Sequence, residues 1–421
     1  MALRIASGSN LRLSEFFKDS SLFLLRALLA AAYLVTRPTR ETWIYLQRYV
    51  FWHPSRNADW QRFAGRELGR SPHPLEMPTN PERAAAAAAR LRSCRIDGAV
   101  ANGGQAPSVT LEDVLAETGT TAFLVIADGC LLRETYYDGH ARGTITRGFS
   151  ISKSATSALM GIALDHGCVR SLDDPILRYL PELAGRGYDE VTIRHLLLMT
   201  GGLRAPRFRT PWAPGPLYYW HPDIRNLIRR APSPATRPGE LFAYNDCSTC
   251  LLGLLLERAT RSSIAAYFER WIWQPVGAQY DALWSLDHAG DGLENAASGL
   301  NARAIDLTRL ASLYLNAGRA GGCQIIPPGW ISESVSPPPI EAPGGSIVVA
   351  GEARYYKLGW WGHRRAGGAY RFWAEGHGGQ FLYCCPDRKL VIARFGSGYG
   401  RVGKNWPKLL GTIGDRFPAA L

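Results

Sequence analysis

A chain of 421 residues, 46% hydrophobic and 20% charged with 13 Trp, has the apolar content of a folded protein, which excludes global disorder. Its length allows two or three structural units around a large buried core. The net charge of +12 rests almost wholly on Arg, scattered singly or in pairs without an aromatic-interleaved strip. That pattern argues for a solvated basic surface and against a nucleic-acid partner.

Residues 1–80 differ from the rest and read as an N-terminal extension. Leu22 to Val35 is hydrophobic but interrupted by Arg26, and it is short for a membrane span. Arg4, Arg12 and Lys18 precede it, as in a signal or anchor segment, although the polar lead is long for a secretory signal. Two readings stand: a membrane-associated helix, which would place the protein at a bacterial cell envelope, or an amphipathic helix docked on the body. A polar connection from Ser71 to Pro81 follows. Glu82 to Leu91, with six consecutive alanines, is then a helix by propensity.

The body begins near Val109. Thr121–Ala127 and Leu131–Tyr137 are β-rich runs joined across Asp128-Gly129, which predicts a hairpin. The next stretch, Ser150 to Leu164, carries Ile151, Ala155, Ala158, Leu159 and Ile162 at helical spacing, with Gly167 as a stop. Its remaining faces carry small residues, so neighbouring elements can pack closely on every side. Lys153 is its only charge before Asp165, and an ammonium in a buried helix sits at a costly place. Ser150 lies one turn earlier on the same face. A lysine made neutral by burial accepts a serine proton, and Ser150 stands among the unpaired N–H groups of a helix start. The competing reading is a capping serine followed by a lysine that reaches solvent.

From Leu172 to about Trp330 the pattern is mainly helical, with segments starting at Asp173-Asp174-Pro175, spanning Thr192–Met199 and Asp306–Asn316, and a long helix from Cys250 to Trp273. Pro238 to Asp246 forms a turn that places Tyr244 at the mouth of the long helix. A phenol beside a lysine shuttles protons between nucleophile and leaving group; alternatively, its hydroxyl is simply bonded to backbone. Cys247 and Cys250 have redox or zinc spacing without a second Cys/His pair, and two buried thiols are expected instead. None of the eight cysteines forms a small-domain disulfide framework.

Strands return at Lys357–Trp361, Tyr370–Ala374, Gln380–Cys385 and Lys389–Phe395, and Lys404–Phe417 closes the chain as a helix. Strands at both ends of the body with helices between imply one sheet assembled from both ends, with a helical unit inserted. Glu375-Gly376-His377-Gly378-Gly379-Gln380 precedes a strand. Glycines there let a substrate lie against the strand edge, His377 is a site-lining donor, and the N–H of Gln380 is aimed at the same carbonyl as that of Ser150. The alternative is a Gly-rich hairpin turn with a surface histidine.

Taken in order, Ser150-Ile151-Ser152-Lys153, Tyr244-Asn245-Asp246 and His377-Gly378-Gly379 resemble the three motifs of the serine β-lactamase and penicillin-binding-protein superfamily, whose Ser-x-x-Lys element opens the set. The likeness is strongest to its class C branch and the esterase and 6-aminohexanoate-dimer hydrolase relatives. It covers about Val109 to Phe417. It implies an α/β fold: a mainly antiparallel sheet flanked by helices, within a hydrolase domain of residues 81–420 carrying an all-α subdomain at 171–330. It further implies a serine hydrolase in which Ser150 attacks an amide or ester carbonyl, Lys153 and Tyr244 move protons, and the N–H groups of Ser150 and Gln380 hold the oxyanion. No metal or organic cofactor is needed, and the partner is a small-molecule substrate.

Two departures from the family pattern matter. Asp246 stands where an amide or hydroxyl is usual, which sets an anion beside Lys153. His377 stands where β-lactamases carry the Lys of Lys-Thr-Gly, which removes the cation expected to hold a β-lactam carboxylate and argues against efficient penicillinase action. Trp212, Tyr219, Trp220 and Trp361 are candidate pocket walls. A non-catalytic scaffold, or a weak β-lactamase or D-amino-peptidase, is the alternative reading.

Overall fold

The computed structural model describes residues 13–52, 55–97, 108–204, 213–344, 346–349 and 352–418. Arg4, Arg12 and Trp212 lie outside the described residues. Helices α1 (Leu13–Thr36) and α2 (Arg40–Phe51) form a hairpin, and the Thr39 hydroxyl caps α2 by accepting from the Thr42 N–H. Buried Tyr45, Leu46 and Tyr49 of α2 dock on the body against Phe63 and Trp220. Among the described residues no helix is long and apolar enough to cross a membrane.

The chain then enters the body earlier than the boundary near residue 80 suggests. Strand β1 (Gly65–Leu68) forms one edge of a four-stranded antiparallel sheet. Asn57 donates to the Gly396 carbonyl at 2.8 Å, and Asp59 is fully buried. Helix α3 (Pro81–Arg92) follows, with Asn80 as its cap and Pro81 at its first position.

Strands β2 (Thr120–Ala127) and β3 (Cys130–Tyr136) form the expected hairpin, with Asp128 and Gly129 both at positive φ. Strand β4 (Ile145–Arg147) leads to helix α4 (Ile151–Asp165), and helix α5 (Asp246–Thr260) lies beside it. The other strands of the two larger sheets are β5 (Ala282–Ser285), β6 (Leu300–Arg303), β7 (Ile347–Val349), β8 (Glu352–Lys357), β9 (Trp360–Arg364), β10 (Tyr370–Gly376), β11 (Gln380–Cys385) and β12 (Leu390–Gly396). Helices α6 (Ala304–Leu315) and α7 (Trp406–Gly414) complete the elements that frame the site.

The main sheet has eight antiparallel strands in the order β7-β8-β9-β10-β11-β12-β2-β3, so the first and last parts of the body share one sheet, as expected. Period-two alternation splits its core. Leu124, Ile126, Leu382 and Cys384 face α4 and the helical layer, while Phe123, Val125, Phe381 and Tyr383 face α3 and α7.

Three expectations need correction. The stretch 171–330 is not all helix: β5 and β6 lie within it and build the small sheet β1-β5-β6-β4. The long helix expected from Cys250 to Trp273 ends at Thr260, because Arg261 adopts a left-handed conformation at φ +54°. The strand expected over Lys357–Trp361 is a hairpin turn between β8 and β9, with Leu358 at φ +41° and Gly359 at +86°.

Candidate active site

Helix α4 begins at a strained turn. Phe149, immediately before Ser150, holds φ +47°, a region costly for an aromatic residue. Ser152 fixes that turn: its hydroxyl donates to the Phe149 carbonyl at 2.7 Å and accepts from the Leu300 N–H at 3.0 Å. The Phe149 ring stacks on Tyr219 (centroids 6.2 Å apart) and meets His377 edge-on at 5.5 Å. The guanidinium of fully buried Arg147 covers Phe149, Phe63 and Tyr219.

Every face of α4 is occupied, as its small residues predict. Ser154 and Ser157 donate to the carbonyls of Gly359 and Leu358 at 2.7 and 2.6 Å, which ties the β8–β9 turn to the helix. Thr156 donates to the Ala296 carbonyl, and Gly161 is bare because Trp330 fills the space of a side chain.

Lys153 is 3% exposed and does not reach solvent. Its Nζ donates to Ser150 Oγ at 2.9 Å, to Asp246 Oδ1 at 2.6 Å and to the Ala297 carbonyl at 3.1 Å. The Tyr244 ring lies beside it, with Nζ 5.0 Å from the centroid. Three acceptors, one of them the Asp246 carboxylate, surround a group with three N–H bonds, so Asp246 points inward and pairs with Lys153.

Asp246 is the first residue of α5, where the helix dipole favours its charge. Asn245 accepts from the Ser248 N–H at 2.7 Å and so caps the same helix. Burial, with the Asp246 charge beside it, pushes the Tyr244 phenol upward against the opposing pull of Ser150, so it rests protonated. Its ring packs on Tyr356 and Trp361 at 5.5 and 5.4 Å.

The β10–β11 hairpin arrives from the other side. Gly376 lies against the Gly148 carbonyl, and Gly378 and Gly379 turn the chain at φ +76° and +81°. His377 is exposed on that turn. Gln380 is fully buried, and its side chain is spent on the scaffold: it donates to the carbonyls of Gly396 (2.7 Å) and His377 (3.1 Å) and accepts from the Gly396 N–H.

Ser150, Lys153, Tyr244, Asp246, His377 and Trp361 thus converge through contacts among themselves or with Phe149. Trp220 is corrected: it is 4% exposed and packs edge-on against Tyr49, as core between α2 and residues 214–220. Tyr219 borders the site through Phe149, held by a bond to Asp59 at 3.1 Å. Cys247 and Cys250 are free and buried, the expected state.

Arg394 has no place in the sequence reading beyond its strand. It is fully buried and donates to the carbonyls of Gly379 (2.7 Å), Gly398 (2.9 Å) and Thr118 (2.7 Å), so it props the glycine turn from behind. The available signal was a lone charge inside the apolar run Leu390–Phe395.

Comparison with known proteins agrees with this architecture. The family profile described as Beta-lactamase matches residues 110–405. The 6-aminohexanoate-dimer hydrolase of Paenarthrobacter ureafaciens is 27% identical over 326 residues, covering 72% of this chain and 79% of that protein. A provisional 6-aminohexanoate-dimer hydrolase from Bacillus anthracis superposes with a TM-score of 0.69 at 22% identity, covering 87% of this chain and 92% of that one. EstCE1, a hydrolase with promiscuous acyltransferase activity, superposes at 0.57 with 17% identity, over 79% of this chain and 98% of its own. The chain belongs to the beta-lactamase family and is a hydrolase of the serine β-lactamase fold.

Proposed function

We propose that the protein hydrolyses a small linear amide or carboxylic ester through an acyl-serine intermediate. Ser150 attacks the carbonyl, Lys153 carries its proton away, and Tyr244 protonates the departing amine or alcohol. The oxyanion is held by the Ser150 N–H with an N–H of the 377–380 turn, each such donor contributing about 3–4 kcal/mol in a well-studied protease. The observation that carries this reading is the 2.9 Å contact from Lys153 Nζ to Ser150 Oγ at the head of a buried helix. The 27% identity to a 6-aminohexanoate-dimer hydrolase favours a linear amide as substrate. The exposed His377 in place of a lysine supports the exclusion of β-lactams as good substrates.

A substrate panel tests the reading: p-nitrophenyl butyrate, an aminohexanoate dimer and nitrocefin. Turnover of the first two with little of the third is expected. Rapid nitrocefin hydrolysis contradicts it.

The catalytic body in this proposal includes residues 57–80 as well as 81–420, and the α1–α2 hairpin is the true extension. We further propose that this hairpin lies on an anionic lipid surface without spanning it. Leu24, Leu28 and Val35 share one exposed face of α1, and exposed Phe51 of α2 meets Phe23 at 5.9 Å, extending the apolar patch. Arg37 and Arg40 stand exposed at the turn between the two helices, complementary to anionic headgroups.

A further inference from the structure

We infer that Asp246 is the resting acceptor of the nucleophile's proton, reached through Lys153, so that this site activates its serine with a carboxylate–ammonium relay. The inference rests on the acyl-serine reading above and assigns to Asp246 a chemical role in it.

The geometry leaves few other routes. Lys153 Nζ already donates three hydrogen bonds, to Ser150 Oγ, Asp246 Oδ1 and the Ala297 carbonyl, so it has no lone pair for a further proton. It accepts one only as it surrenders another. Of its three partners, only the carboxylate at 2.6 Å is a base. The Ala297 carbonyl is fixed by its loop, in which Asn295 accepts from the Ala297 and Ser298 N–H groups. The remaining titratable groups facing the pair are Tyr244, Tyr356, His377, Cys247 and Cys250. Burial holds the two phenols and both thiols protonated, which leaves none of them as an anionic competitor.

The cycle balances. In acylation the Oγ–C bond forms as the carbonyl π pair moves to oxygen. The Ser150 proton passes to Nζ, and Nζ releases a different proton to Asp246 Oδ1. As the tetrahedral adduct collapses, Tyr244 gives its proton to the leaving amine or alcohol. The acyl-enzyme then holds neutral Asp246, ammonium Lys153 and Tyr244 phenolate, the same total charge as at the start. In deacylation the phenolate takes a proton from the attacking water. Ser150 Oγ leaves with a proton from Nζ, which Asp246 replaces. Two separate routes follow: one for the serine proton, one for the substrate's proton.

An activated ester separates them, because p-nitrophenolate leaves without protonation. The burst of p-nitrophenol from p-nitrophenyl butyrate reads acylation alone. Asp246→Asn is expected to slow the burst at neutral pH by about 100-fold or more, the ordinary weight of a positioned proton acceptor. The rate should recover toward alkaline pH, where the amine loses its proton unaided, so the acidic limb moves up by about two units or more. Asp246→Glu should keep the wild-type limb, and Tyr244→Phe should keep the burst while slowing turnover of the aminohexanoate dimer, whose amine must leave protonated. An Asp246→Asn burst with an unshifted limb, or loss of the burst in a folded Tyr244→Phe, overturns the relay. Wild-type protein with neither burst nor Ser150 labelling by a fluorophosphonate overturns the acyl-serine reading itself, which is a different outcome.

Discussion

The Gly148 carbonyl oxygen occupies the space that a β-carbon on Gly376 would need, so the end of β10 rests directly on the turn that presents Ser150. This backbone contact helps set how closely the 377–380 turn approaches Ser150. Gly376→Ala is therefore expected to push the hairpin off the cleft and lower kcat/KM about 100-fold, the scale of an ångström-sized misplacement. Kinetics on p-nitrophenyl butyrate with parallel melting curves check this. A variant with wild-type kcat/KM removes Gly376 from the account.

Arg394 carries a second expectation. Its guanidinium bonds Gly378, Gly379, Gly398 and Thr118 carbonyls and the Thr120 hydroxyl, and stacks on Trp406 at 4.4 Å. Arg394→Met leaves buried carbonyls without donors and is expected to cost about 3 kcal/mol or more. Arg394→Lys does not rescue it, because a point donor cannot replace a planar fork. Urea unfolding of both variants decides; losses below about 1 kcal/mol contradict the bracing role.

Helix α4 was legible because one local pattern carried it: apolar residues at helical spacing, small residues elsewhere, and a single lysine one turn after a serine. The glycine turn and the β2–β3 hairpin were legible for the same reason, as Asp128-Gly129 and Gly378-Gly379 need positive φ. What stayed hidden was set by distant partners or by non-glycine residues in left-handed conformations. Leu358 and Arg261 break a strand and a helix without any turn residue at that position. The inward aim of Asp246 depends on α5 packing beside α4, and the weaving of Asn57 and Asp59 into the body depends on Gly396 and Tyr219, which lie more than 150 residues away.

The docked hairpin gives a pH signature. His221 accepts from the Asp223 N–H at 3.1 Å through Nδ1, and its ring packs against Tyr45 of α2 at 5.8 Å. Burial pushes this imidazole down to about 4 from its ordinary 6.5. The folded state thus binds fewer protons than the unfolded state in that interval. The corresponding stability is present above pH 6.5 and is lost as pH falls through about 4. His221→Asn is expected to flatten this acid limb in urea midpoints taken between pH 7 and pH 4. An unchanged slope contradicts the assignment.

Binding of the α1–α2 hairpin to lipid is checked by co-sedimentation with vesicles of phosphatidylglycerol and phosphatidylcholine. The intact chain should pellet with mixed vesicles, less with pure phosphatidylcholine, and less again at high salt. Leu24→Ser/Leu28→Ser should abolish binding without altering esterase rate. Equal recovery in the supernatant with and without anionic vesicles, or a dimer that the double variant dissociates, argues that the patch serves another purpose.

Intact-mass and peptide mass spectrometry after a fluorophosphonate probe addresses the central claim most directly. The wild-type chain should gain one adduct, on Ser150, and Ser150→Ala should gain none. An unlabelled wild type, or equal labelling of the alanine variant, contradicts the serine nucleophile.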